Sequence, residues 1–200
     1  MLAQPWWVNL LVLAPPVSYL IFRNRRLAIG RSALAGAFIF GLAFGFVEAA
    51  VVVYLRLATT ILPWSKFLGL QAGVPAIPEP TVQILNSAPE KLIMVEVLRE
   101  AATMVMLLSV AFLGARKLAE RSALFLWTFA IWDIAYYAGL RALIHWPASL
   151  RSVDVLFLIP VPWISEVWFP LAVSVLTLAA ILAANRWGPS ANGAVREKVE

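Results

Sequence analysis

Glu96, Arg99, Glu100 and Thr103 stand at i, i+3, i+4 and i+7 within "KLIMVEVLREAATMVMLL" (Lys91 to Leu108), a stretch otherwise apolar enough for lipid. On a helix that spacing forms one face. Two carboxyls beside a guanidinium can pass protons to and from a substrate, or hold an anionic head or a developing negative charge. Further along, Asp133, Tyr136, Tyr137 and Leu140 repeat the spacing in "WDIAYYAGLR", with Arg141 beside them. A tyrosine one turn from an aspartate is a ready hydrogen-bond donor. Glu48 shares a helix face with Ala37, Gly41 and Gly45, and Gly41-x-x-x-Gly45 is a small-residue motif that lets helices approach closely.

The elements that must position these groups are membrane helices. Of 200 residues, 62% are hydrophobic and 14% charged, and the mean hydropathy is +0.84. Soluble domains run near 45–50% apolar and about 25% charged. Five apolar runs approach the ~20 residues a bilayer requires: roughly Trp6 to Phe22, Ser32 to Leu55, Lys91 to Leu113, Ala123 to Ile144 and Val161 to Ala184. Pro15 and Pro16 should kink the first. Its charges follow the apolar part and it lacks a small-residue cleavage site, so it does not read as a signal peptide. The predicted fold is all-α: a polytopic bundle of about five transmembrane helices.

Basic residues set the orientation. The segments after runs one, three and five hold ten of the sixteen. The positive-inside rule then puts the N-terminus out and the C-terminus in, with the cell's inner membrane as the expected location. Trp6, Trp7, Trp64, Trp146, Trp163, Trp168 and Trp187 fall near run ends, as interfacial anchors do. Residues 1–187 read as one transmembrane domain and 188–200 as a flexible cytoplasmic tail. Five prolines break the external loop 59–90, in which "KFLGL" and "TVQIL" could form short interfacial helices. "DVLFLIPVPW", within 152–164, is too short to span and is interrupted by Pro160 and Pro162. It predicts a short re-entrant or interfacial helix before the last span.

With ~1.5 Å of rise per residue, Glu96, Arg99 and Glu100 lie roughly 9–15 Å below the outer boundary. Glu48 and Asp133 fall in the same outer half. A charge facing lipid costs several kcal/mol, so one shared interior cluster is expected. Its candidate acids and bases are Glu48, Glu96, Glu100 and Asp133. Its candidate substrate-binding groups are Arg99, Arg141, Tyr136, Tyr137, Asp154 and Arg56. Acids outnumber bases, so at least one acid is expected to hold a proton or a positive ligand.

Several chemistries are excluded or disfavoured. The chain has no cysteine, hence no disulfide and no thiolate site. A single histidine, His145, rules out bis-histidine haem ligation. Oxygen ligands from Glu48, Glu96, Glu100 and Asp133 could take a hard cation. Arg99 in the same stripe argues against a metal, and no cofactor is predicted. No P-loop, Gly-x-Ser-x-Gly or dinucleotide fingerprint occurs, and the basic clusters are topological, so no nucleic acid is expected. What stays is an acid–base enzyme or binding site for a lipid, isoprenoid or quinone-like hydrophobic molecule. The alternatives are a non-enzymatic subunit or assembly factor with a membrane-protein partner, and a proton- or cation-coupled carrier. Against the carrier stand the absence of an inverted repeat and of polar residues in the cytoplasmic half.

Overall fold

A computed structural model describes residues 3–23, 27, 29–61 and 90–187, excepting the side chains of 56–61 and 185–187. The expected tail 188–200, nearly all of the loop 59–90 with its two short helices, and the side chain of Arg56 lie outside the described residues.

The first apolar run begins as a 3-10 helix, Trp6–Leu13, and continues as α1, Ala14–Arg23. The change falls where the prolines are. Pro15 has no N–H for the Leu11 carbonyl, which accepts from Ala14 instead, three residues on. Three long helices follow: α2 (Arg31–Ile61), α3 (Glu90–Gly114) and α4 (Leu118–Ile144). The last helix is α5, Trp168–Trp187. Among the described residues, four helices are long and apolar enough to cross a membrane: Trp6–Arg23, Arg31–Leu55, Glu90–Gly114 and Leu118–Ile144. The apolar part of α5, Trp168–Ala184, is shorter. The chain therefore has the make-up of a multi-pass membrane protein. Large apolar side chains such as Ile39, Phe46, Leu98, Val105 and Leu113 are exposed, as lipid-facing positions are.

Side-chain clusters fix the helix directions. Phe22, Ala123, Ile181 and Ala184 pack together, so the end of α1 meets the start of α4 and the end of α5. Ala37, Ala111 and Leu124 do the same for the start of α2, the end of α3 and the start of α4. Successive helices thus alternate in direction. The central helix is α4: 61% of its span is buried, against 22% for α2 and α3, so neighbours surround it on most sides.

Between α4 and α5 the structure departs from the sequence reading. Residues 152–164 form no helix, re-entrant or interfacial. They lie in an antiparallel pair, β1 (Val153–Phe157) and β2 (Trp163–Glu166). Asp154 faces Ser165 across the pair, and a register shift falls between Val155 and Phe157. Val153, Val155, Phe157, Trp163 and Ile164 are β-branched or aromatic and suit a strand. Pro160 and Pro162 are excluded from a helix interior and push Ile159 and Val161 toward extended backbone. Residues assigned from sequence to the start of the fifth run are spent on β2, so α5 starts at Trp168. Gln4 bonds Ile164 in both directions at 2.8 Å, tying the chain's beginning to the hairpin.

Backbone of α2 approaches backbone of α4 closely. A β-carbon at Gly45 would sit 2.5 Å from the Trp132 carbonyl oxygen and 2.7 Å from the Ala135 Cβ. One at Gly41 would lie 2.9 Å from the Thr128 carbonyl, and one at Gly139 the same distance from Ala49. At Gly36 it would meet nothing within 4 Å. Gly45→Ala is therefore expected to destabilise the bundle by about 1–3 kcal/mol through overpacking. Gly36→Ala should be neutral or stabilising by up to about 1 kcal/mol. Thermal unfolding in detergent, followed by tryptophan fluorescence, checks both. Equal midpoints for the two variants would mean that α2 and α4 are not in this contact.

Candidate functional site

The α3 stripe faces inward, and its charges meet partners there. Glu48, 4% exposed on α2, accepts a charge-assisted hydrogen bond from Arg99 Nη1 at one carboxylate oxygen. Its other oxygen accepts from Thr103 Oγ1 at 2.7 Å. Arg99 Nε donates to Glu96 Oε2 at 2.6 Å, one turn back on the same helix. The guanidinium is thus held between two carboxylates, and the trio clips α2 to α3. Gly41, Gly45 and Ala49 place α2 tightly against α4, which leaves Glu48 turned toward α3.

Three further acids are anchored by neutral donors. Glu100 accepts from the Leu158 main-chain N–H at 2.8 Å, in the turn of the hairpin. Asp133 accepts from Ser174 Oγ of α5 at 2.8 Å. Asp154 of β1 accepts from the Tyr137 hydroxyl at 3.0 Å. Glu100 and Asp133 are each 8% exposed. No other hydrogen bond and no ion pair reaches either of them among the described residues, so each carboxyl is fixed at one oxygen and open at the other. Neither open oxygen is among the sealed, unbonded polar atoms, which are the indole nitrogens of Trp132 and Trp163.

Glu48, Arg99, Glu100, Asp133 and Asp154 line one cavity of about 430 Å³. Its walls come from the first helix, α2, α3, α4, the hairpin and α5, and most of its lining is apolar. One side is aromatic. Phe129 and Phe157 lie nearly parallel with ring centres 6.4 Å apart, and Trp163 is 5.4 Å beyond Phe157. Trp132 bridges Phe129, at 5.4 Å, and Tyr136, at 6.3 Å. Packing between α3 and the α1–α5 pair is sparse, and the cavity lies between them.

Of the residues singled out from sequence, the structure brings Glu48, Arg99, Glu100, Asp133, Tyr136, Tyr137 and Asp154 to the cavity wall. Glu96 sits behind Arg99 as its ion-pair partner and does not line the space. Arg141 lies apart from the cluster. Its Nη1 donates to the carbonyls of His145, at 2.5 Å, and Pro147, at 3.2 Å. The reason is local: α4 ends at Ile144, and His145 takes a left-handed conformation with φ 57°. The chain beyond a helix end offers carbonyls with no helical partner, and an arginine in the last turn reaches them.

Ser174, Thr177, Phe129, Trp132, Phe157 and Trp163 were not among the sequence candidates. Ser174 and Thr177 carried a signal: two hydroxyls at i, i+3 in an apolar helix, both more than nine-tenths buried. Read as a donor in search of an acid, Ser174 points to Asp133. Among the described residues, no three acidic or histidine side chains converge as they would around a metal ion. Comparison with family models, with curated proteins and with solved structures finds no match to the chain.

Chemically, a carboxyl anchored at one oxygen and open at the other can give or take a proton at the open one, or accept a donor from a ligand. The Glu48–Arg99 pair has a structural consequence. Arg99→Met leaves Glu48 buried with Thr103 alone and is expected to destabilise by about 3–5 kcal/mol. Glu48→Leu leaves Arg99 with Glu96 and should cost less. The double variant should recover part of the loss, with a coupling of about 1–3 kcal/mol in a double-mutant cycle. Strict additivity of the two losses would show that the pair does not hold α2 to α3.

Proposed function

We propose that the chain is an inner-membrane protein of five spans, N-terminus out and C-terminus in. On this reading its outward-facing cavity binds a hydrophobic molecule of lipid, isoprenoid or quinone-like size and carries out acid–base chemistry on it. The observation that carries the reading is the pairing of an apolar, aromatic-walled cavity of about 430 Å³ with two buried carboxyls, each open at one oxygen. Such a combination of apolar lining and a few convergent polar groups is what ligand sites have. Asp133 and Glu100 are the acid and base. Ser174 and the Leu158 N–H orient them, and Tyr137 with Asp154 forms the floor at the hairpin. A ligand dissolved in the bilayer enters sideways, between α3 and the α1–α5 pair.

Against a purely scaffolding role, the acids turn into the chain's own cavity and not onto a surface that a partner could meet. Against a carrier, the acids of the lining lie toward the hairpin, and the Phe22 and Ala37 clusters close the other end with apolar side chains.

Mass spectrometry of small molecules retained by the protein purified from native membranes tests the reading. A hydrophobic compound should be enriched well above its share of the membrane extract. Met104→Trp, which projects an indole from α3 into the cavity, should lower its retention about tenfold, equivalent to about 1.4 kcal/mol. Conversion of that compound by the purified protein should fall about 10²–10⁴-fold in Asp133→Asn or Glu100→Gln, the range of general acid–base contributions. Retention unaffected by Met104→Trp would place the ligand elsewhere and end the proposal.

A further inference from the structure

The charges around the cavity do not balance, and the imbalance points to the charge of the ligand. Four carboxyl residues line it, Glu48, Glu100, Asp133 and Asp154, against one basic residue, Arg99. That guanidinium is already committed to Glu48 and Glu96. An anionic head would therefore face carboxyls with no uncommitted cation among the described lining residues. A phosphate or carboxylate ligand normally meets arginines in a bidentate fork, and no such fork is presented here.

A cation finds the opposite situation. The open oxygens of Glu100 and Asp133 are acceptors for an ammonium N–H, or counter-charges for a quaternary centre. Phe129, Trp132, Tyr136, Phe157 and Trp163 line the same space, and the negative face of an aromatic ring attracts cations most strongly where water is excluded. Most of the remaining lining is apolar and suits an apolar body. Acids left over in low dielectric either keep a proton or take up a positive ligand, and here the second outcome has both room and aromatic side chains beside it.

We infer that the cavity selects a lipophilic cation: a hydrophobic amine or quaternary ammonium whose charged centre sits between Glu100 and Asp133, against the aromatic wall. This inference rests on the cavity being a binding site, as proposed above, and narrows the substrate class to positively charged amphiphiles. Neutral and anionic amphiphiles are the competing outcomes.

Two probe ions of nearly equal size and opposite charge, tetraphenylphosphonium and tetraphenylborate, test it, with triphenylphosphine oxide as the neutral member. Each is titrated into the full chain in phosphatidylcholine nanodiscs. Specific binding is the part that exceeds protein-free discs and is lost in Met104→Trp. Tetraphenylphosphonium should bind at one saturable site, at least about tenfold more tightly than either other probe. Glu100→Gln and Asp133→Asn should each weaken it about tenfold, the scale of one lost charge-assisted contact, with triphenylphosphine oxide unaffected. If tetraphenylborate or the neutral probe binds the Met104→Trp-sensitive site as tightly, the charge inference is overturned while the cavity reading stands. If both amide variants bind tetraphenylphosphonium like the parent, the inference is overturned too. If no probe shows binding sensitive to Met104→Trp, the cavity reading itself fails. The comparison of probes on the parent chain needs no variant to fold beyond Met104→Trp.

Discussion

A carboxyl group removed from water must be given a partner by the protein, and this bundle is arranged around four such debts. Each acid at the cavity is met by a donor on a different element. Glu48 of α2 is held from α3, and Glu100 of α3 from the hairpin. Asp133 of α4 is held from α5, and Asp154 of β1 from α4. The polar groups therefore act as ties between elements as well as points of chemistry. Leaving any one of them unmet would cost several kcal/mol in an apolar setting, a penalty large against the marginal stability of a domain. The distances between the cavity walls are set by these ties.

The two ends of the bundle are built by different physics. Away from the hairpin, apolar packing closes the space, with Phe22, Ala123, Ile181 and Ala184 in one cluster and Ala37, Ala111 and Leu124 in another. Small residues dominate there because helices in lipid associate through close van der Waals fit and gain little from excluding water. Toward the hairpin, larger aromatic side chains and the acids hold the helices apart. Gly41 and Gly45 join the regimes. They bring α2 against α4 along the length that leads up to Glu48, so the position of the carboxylate is inherited from a packing contact one turn below it.

The parts of this arrangement legible in sequence were those with a periodic signal. Spacing alone placed Glu96, Arg99, Glu100 and Thr103 on one face, and the apolar runs marked where the helices lie, apart from the start of the last, which is displaced by β2 to Trp168. Gly41 and Gly45 announced a close helix contact by type and spacing. Features that depend on a non-local partner were not legible. Ser174 acquires its role from Asp133, forty-one positions earlier; the hydroxyl of Thr177 nearby marks a polar face but does not name that partner. Arg141 looked equivalent to Arg99, yet the helix ends three residues later and the carbonyls beyond it compete for the guanidinium. The hairpin was misread because prolines were weighed as helix breakers without weighing the alternation of Val153, Val155 and Phe157 around them.

That misreading matters, because a helix in place of the hairpin could not do the same work. In a helix interior every main-chain N–H is spent on the carbonyl four residues back. Leu158 lies just past β1, after the register shift and before Pro160, where the ladder no longer claims its N–H. It is thus able to donate at 2.8 Å to Glu100. The strand that leads into it, β1, carries Phe157 to the aromatic wall and Asp154 to Tyr137. This stretch forms part of the cavity wall. The non-helical segment and the buried acid are therefore mutually dependent: Glu100 can be buried because a main-chain donor is unspent, and that donor can remain unspent because Glu100 is there to take it.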